Sequence, residues 1–181
     1  MRRFLIAVLT LSPIIAAANE SVLEALASTS GRWTGELYYL DYQSGDRFSI
    51  PMDADIEVTP DGATVIRRLT WTDPGNLVYA VQLTTVDRDT GELVDAYFRD
   101  GRGEHLRYVV SEYRYESPTK WRVVYEHEGQ DADRPAQIRH TLTSDGELLT
   151  SKKSVKFLDA DDTAFIERNG SELRRIEAMP N

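Results

Sequence analysis

"GRWTGELYYLDYQSGDRFSI", Gly31 to Ile50, decides the reading of this chain. It alternates residue by residue, breaks at Ser44-Gly45-Asp46, and then alternates again. Side chains on a strand point to opposite faces with period two, so this stretch predicts a hairpin with one apolar face. The arm that follows is the clearest case: Phe48, Ile50, Met52, Ala54, Ile56 and Val58 share one face, and Ser49, Asp53, Asp55 and Glu57 take the other. In the first arm Trp33, Gly35, Leu37 and Tyr39 lie opposite Thr34, Glu36 and Tyr38. A sheet with one apolar and one polar face has to bury the first against something.

Working outward, the same pattern recurs to the end of the chain. Turn chemistry falls at Pro60-Asp61-Gly62, Asp73-Pro74-Gly75, Asp89-Thr90-Gly91, Asp100-Gly101, Ser117-Pro118, Asp145-Gly146 and Asn169-Gly170. The intervening runs predict about ten strands joined by connectors too short for crossover helices. The last run, 163–177, is interrupted at Asn169-Gly170 by either a bulge or a further tight hairpin. An open meander of this size would expose two edges, and closure removes them. The expectation is therefore an all-β, closed antiparallel up-and-down meander barrel, with a sandwich or half-open sheet as the alternative. Before it, "NESVLEALASTS" spaces Val22, Leu23, Leu26 and Ala27 as one short helix that Gly31 ends.

The chain has 181 residues, a formal net charge of −9 and no cysteine. Arg2 and Arg3, the apolar run Phe4 to Ile15, and Ala16-Ala17-Ala18 have the layout of a secretory signal peptide. The expected division is a leader at 1–18 and a single barrel domain at 19–181, exported to a periplasmic or extracellular space. The missing cysteines exclude thiol nucleophiles, iron–sulfur sites and thiolate zinc sites. An acidic chain without a basic run argues against a nucleic-acid partner, and no stable membrane insertion of the mature chain is expected. No Gly-x-Ser-x-Gly elbow, His-Glu-x-x-His or P-loop occurs.

Taking the apolar-rich phase of each run inward puts several polar groups in the lumen: Arg67, Glu112, His127, His140 and the phenols of Tyr39, Tyr79, Tyr97, Tyr108 and Tyr125. Charges in a dry core are costly unless paired, so either these groups pair or the interior holds water or a ligand. If the turn of the 120–143 hairpin centres between Asp133 and Arg134, His127 stands opposite His140. Two histidines without a third matched ligand do not make a metal site, and neither metal nor cofactor is expected.

The helix followed by Gly31-Arg32-Trp33 and an antiparallel meander resembles the calycin superfamily of lipocalins and fatty-acid-binding proteins. The Gly-x-Trp-x-Gly of "GRWTGELYYLDY" is also similar to the opening of nitrobindin-like barrels. The lipocalin resemblance implies that Trp33 sits at the closed end beside Gly31, with Val22, Leu23 and Leu26 beneath it. It further implies a basic residue of the last strand over the indole, for which Arg174 and Arg175 are the matches. Nitrobindin-like barrels carry a haem-ligating histidine near the chain end, whereas the last histidine here is His140. The implied job is that of a carrier for a small apolar or amphiphilic molecule, lined by Arg67, Tyr97, Tyr108, Glu112, Trp121, Tyr125, His127 and His140. Two alternatives stand beside it. One is a structural or protein-interaction barrel with a filled core; the other is a barrel enzyme using Glu112 with His127 or His140 as an acid–base pair.

Overall fold

A computed structural model describes residues 22–41, 44–161 and 164–176. The leader expected at 1–18 lies outside the described residues. Residues 22–27 form a short helix, α1. Ten strands follow: β1 Gly31–Leu40, β2 Arg47–Val58, β3 Thr64–Asp73, β4 Asn76–Val86, β5 Leu93–Arg99, β6 Arg102–Ser117, β7 Lys120–Asp131, β8 Arg134–Ser144, β9 Leu148–Phe157 and β10 Ile166–Arg175. Each pairs antiparallel with its sequence neighbour, and β1 pairs with β10, so the sheet is a closed up-and-down barrel. Closure is carried by a continuous register from Trp33↔Arg175 to Tyr39↔Asn169. The interruption near Asn169-Gly170 is a bulge between Glu167 and Asn169, and β10 continues through it.

The β1–β10 seam depends on small residues. A Cβ on Gly35 would run into the carbonyl of Glu172, and one on Gly170 would meet the Ser151 carbonyl and the Tyr38 phenol. Tyr38 is therefore laid across Gly170, almost fully buried on the outer face. The Arg47 guanidinium covers its ring at 3.9 Å, and its hydroxyl donates to Glu167 at 2.7 Å.

One end of the barrel is floored. Val22, Ala25 and Leu26 of α1 are buried with Trp33, which is wholly inaccessible to solvent. The indole Nε1 donates to the carbonyl of Thr29 at 2.8 Å. Of the two basic candidates, Arg175 lies over the Trp33 ring at 4.3 Å, while Arg174, one position out of phase, faces solvent. The Arg175 guanidinium donates to the carbonyls of Gly146, Ser30 and Ser28 at 2.9, 2.7 and 3.2 Å, tying α1 to the β8–β9 turn. Trp121, expected along the lumen wall, belongs to this floor: it is buried and its Nε1 donates to Ser28 Oγ at 3.0 Å.

Two inward assignments change. Glu112 faces outward, where its carboxylate accepts from Arg114 and Arg122 at 2.8 and 3.1 Å. A bulge between Val110 and Glu112 adds Ser111 to β6, so Tyr113, opposite the buried Val123, takes the inward place. A bulge reverses the phase of everything beyond it. The interior pairing of Glu112 with a histidine is therefore not built. Tyr79 also points outward, 62% exposed, because β4 turns Ala80, Gln82 and Thr84 inward. β4 carries apolar residues on both faces, so alternation alone does not decide its phase.

Candidate functional site

The lumen above the floor contains two adjoining chambers. The deeper, of about 290 Å³, is walled by Leu37, Met52, Ala54, Ile56, Leu69, Leu142, Leu149 and Leu173, with Arg67 among them. The outer, of about 680 Å³, reaches the barrel end opposite α1 and is lined by polar residues including Asp95, Glu104, Glu128, Gln130 and Lys153. Gln82, Tyr97, His140 and Asn169 border both. Of the residues expected to line a ligand site, Arg67, Tyr97, Tyr125 and His140 border the deep chamber, while Tyr97, Tyr108, His127 and His140 border the outer one. Trp121 and Glu112 border neither.

Arg67 is almost fully buried on β3. Its Nη1 donates to Thr84 Oγ1 at 2.9 Å, Thr84 Oγ1 donates to Asp95 Oδ1 at 2.6 Å, and Gln82 Nε2 donates to Asp95 Oδ2 at 2.7 Å. Three neighbouring strands thus supply one continuous polar chain along the lumen. Burial pushes the Asp95 carboxyl above its usual range, opposed by the Thr84 hydrogen bond, the Arg67 charge and the Gln82 amide. The other guanidinium nitrogen, Arg67 Nη2, is buried and has no hydrogen-bond partner among the described residues. Leaving a buried donor unmade costs its full desolvation, of order 1–3 kcal/mol or more for a charged group.

Rings fill the level between the chambers. Tyr108 stands edge-on to Tyr125, His127 and His140, at centroid distances of 5.0, 4.8 and 5.6 Å. Tyr125 and His140 lie nearly parallel at 5.3 Å. The β7–β8 hairpin turns on Ala132 and Asp133, both with positive φ, which moves the register by two residues from that expected. His140 therefore pairs with Tyr125 and His127 with Ile138, leaving the two imidazoles diagonal, 6.4 Å apart. Burial, reinforced by His127 and Lys153, depresses His140 to about 4, and burial likewise lowers His127. Both rings are neutral near pH 7. Burial raises the phenols of Tyr108 and Tyr125, which stay protonated and able to donate. Beside them Lys153 Nζ contacts Asp131 at 2.9 Å, and Arg168 reaches the same carboxylate at 2.5 Å. Among the described residues no group of three or more His, Asp or Glu side chains is placed to hold a metal ion.

Gln82, Thr84, Asp95, Lys153 and Asn169 were not singled out by sequence reasoning. Asp95 carried a signal that could have found it. It is the one acidic residue inside the short apolar run "LVDAYFR" of β5, where a solvated position was not required.

Comparison with known proteins agrees with the architecture. Rv2717c from M. tuberculosis aligns with 85% of this chain and 96% of its own, with a TM-score of 0.59 and 12% identity. The closed ten-stranded antiparallel barrel is consistent with a calycin-like fold in general. At that identity the likeness concerns the fold alone, and it does not single out lipocalins or fatty-acid-binding proteins. A DUF3598-family protein of unknown function from Nostoc punctiforme PCC 73102 aligns with 85% of this chain and 98% of its own at 9% identity. Its TM-score of 0.24 carries no structural argument. No protein-family model and no curated protein matches the barrel.

Proposed function

We propose that this protein is an exported carrier that holds one small amphiphilic molecule in the barrel lumen, its apolar part in the deep chamber and its polar end on Arg67. The observation that carries the reading is the deep lumen chamber of about 290 Å³, whose lining combines leucine, isoleucine and methionine side chains with the buried Arg67 and a few polar groups. A molecule that hides roughly 300 Å² of apolar surface there gains about 7 kcal/mol before ordering costs, at roughly 25 cal/mol for each Å². The tyrosine and imidazole rings above it supply further neutral donors. Export is supported by the basic, apolar and small-residue succession from Arg2 to Ala18. Among the described residues no helix is long and apolar enough to cross a membrane.

Native mass spectrometry of the protein from its own host, followed by mild organic extraction, tests both parts. The expected result is a chain beginning at Asn19 that carries one extractable molecule in a one-to-one complex. Protein that is consistently empty after gentle purification refutes the carrier; a chain that retains residues 1–18 refutes processing of the leader.

A further inference from the structure

The outer chamber reaches through the side of the barrel. β6 pairs with β5 from Arg99↔Arg102 to Leu93↔Tyr108, but with β7 only from Val109↔Glu126 to Ser117↔Lys120. β7 in turn stays paired with β8 out to Asp131↔Arg134. Residues 102–108 of β6 and 127–131 of β7 therefore face each other across an unpaired slot, which runs to the end opposite α1. The cavity lining agrees. A strand presents alternate residues to a lumen, yet His127, Glu128, Gly129 and Gln130 are consecutive and all border the outer chamber. The chamber thus wraps round the free edge of β7. Across the slot Glu104 is exposed, although it shares the inward phase of Leu106 and Tyr108.

We propose that this slot is the gate of the lumen: ligand passes sideways between β6 and β7, and the slot closes behind it by extension of the ladder in its existing register. Continuing from Val109↔Glu126 sets Tyr108 opposite His127, Arg107 opposite Glu128, Leu106 opposite Gly129 and Glu104 opposite Asp131. The first pair is already in contact, with ring centroids 4.8 Å apart, and forms the hinge of the slot. The second places opposite charges directly across the ladder, which favours closure. Three features oppose it in the empty barrel. Arg107 is held toward the β4–β5 turn by Asp87 and Glu92, each at 3.0 Å. Gly129 offers Leu106 no side chain to pack on, and Glu104 meets a like charge at Asp131. Lys153 and Arg168 already compensate Asp131, so that repulsion is weak. Leu106 borders the chamber, where a bound apolar chain supplies the contact that Gly129 lacks. Filling the lumen therefore tips the slot toward its closed form.

This inference rests on the carrier reading, and the experiment separates the two. The chain has no cysteine, so in Arg107→Cys/Glu128→Cys each thiol has only the other to pair with. A disulfide needs Cα atoms within about 7 Å, a separation that the extended ladder provides. The neutral fluorophore N-phenyl-1-naphthylamine is mixed by stopped flow with the oxidised and the reduced variant. Oxidation is expected to slow both association and release about tenfold or more, and reduction to restore them. Equal rates in the two states, or thiols that never pair, overturn the gate and leave the carrier standing. A wild type that binds no fluorophore overturns both. Hydrogen exchange on the wild type decides the matter even where the variant does not fold. Amides of residues 102–108 and 127–131 that face the slot should exchange freely in the empty protein and gain about tenfold or more protection with the fluorophore bound. Slot amides as protected in the empty protein as those of the β3–β4 ladder, or unchanged by the fluorophore, overturn the gate.

Discussion

Replacing Arg175 by Met keeps most of the aliphatic stem and removes the guanidinium that holds the barrel floor together. Three carbonyls lose their donor at once: Gly146 in the β8–β9 turn, and Ser28 and Ser30 at the end of α1. Hydrogen bonds to a charged group contribute about 1.5–3 kcal/mol each when shielded, and the contact to Ser30 is exposed enough to count for little. Loss of the cation over the Trp33 ring, 4.3 Å from its centroid, removes about another 1 kcal/mol. Water reaches some of the freed carbonyls, so the expected cost is about 3–5 kcal/mol. For a domain of this size that corresponds to a fall in melting temperature of roughly 10–15 °C. Urea unfolding followed by tryptophan fluorescence measures it, and Arg175→Lys, which keeps the charge but loses the fork, should fall between wild type and Met. A loss below about 1 kcal/mol for Arg175→Met would show that the floor is held by the packing of α1 alone.

Two further outcomes are expected. His140 binds its proton less readily folded than unfolded, so its contribution is intact above pH 6.5 and is lost as pH falls from 6.5 to about 4. The penalty reaches at most about 3 kcal/mol. His140→Phe should therefore narrow its stability gap to the wild type by about 2–3 kcal/mol between neutral pH and pH 4 in urea titrations, and a gap independent of pH contradicts the burial assigned to this ring. Gly35→Ala drives a Cβ into the Glu172 carbonyl and opens the β1–β10 seam, at a cost of about 3 kcal/mol or more in thermal unfolding. The neighbouring Thr34→Ala, on the exposed face, should stay within about 0.5 kcal/mol of wild type; equal effects at both positions would mean that the seam yields freely.

The polar chain across the lumen shows where sequence reasoning ran out. Arg67 was visible because it interrupts the apolar phase of β3, between Val65 and Leu69. Its partners were not, because Thr84 and Gln82 sit on a strand with apolar residues on both faces, and Asp95 is on another strand again. Glu112 misled for a related reason: the single extra residue at Ser111 reverses the face of β6 beyond it, and no turn residue announces it. For the histidines, placing the β7–β8 turn on Ala132-Asp133 changed which residue each one opposes while keeping both on the same face.

What the sequence determined by itself is local in origin. The period-two alternation, the glycine and proline turns, the helix before Trp33 and the ten-strand count each depend on residues close together in the chain. What the tertiary structure decided depends on register: the closure of β1 on β10, Arg175 rather than Arg174 over the indole, and the chain from Arg67 through Thr84 to Asp95. A bulge or a two-residue change in a turn alters each of these at almost no local cost. Only the packed barrel, where every side chain has neighbours from distant strands, makes one register far better than the next.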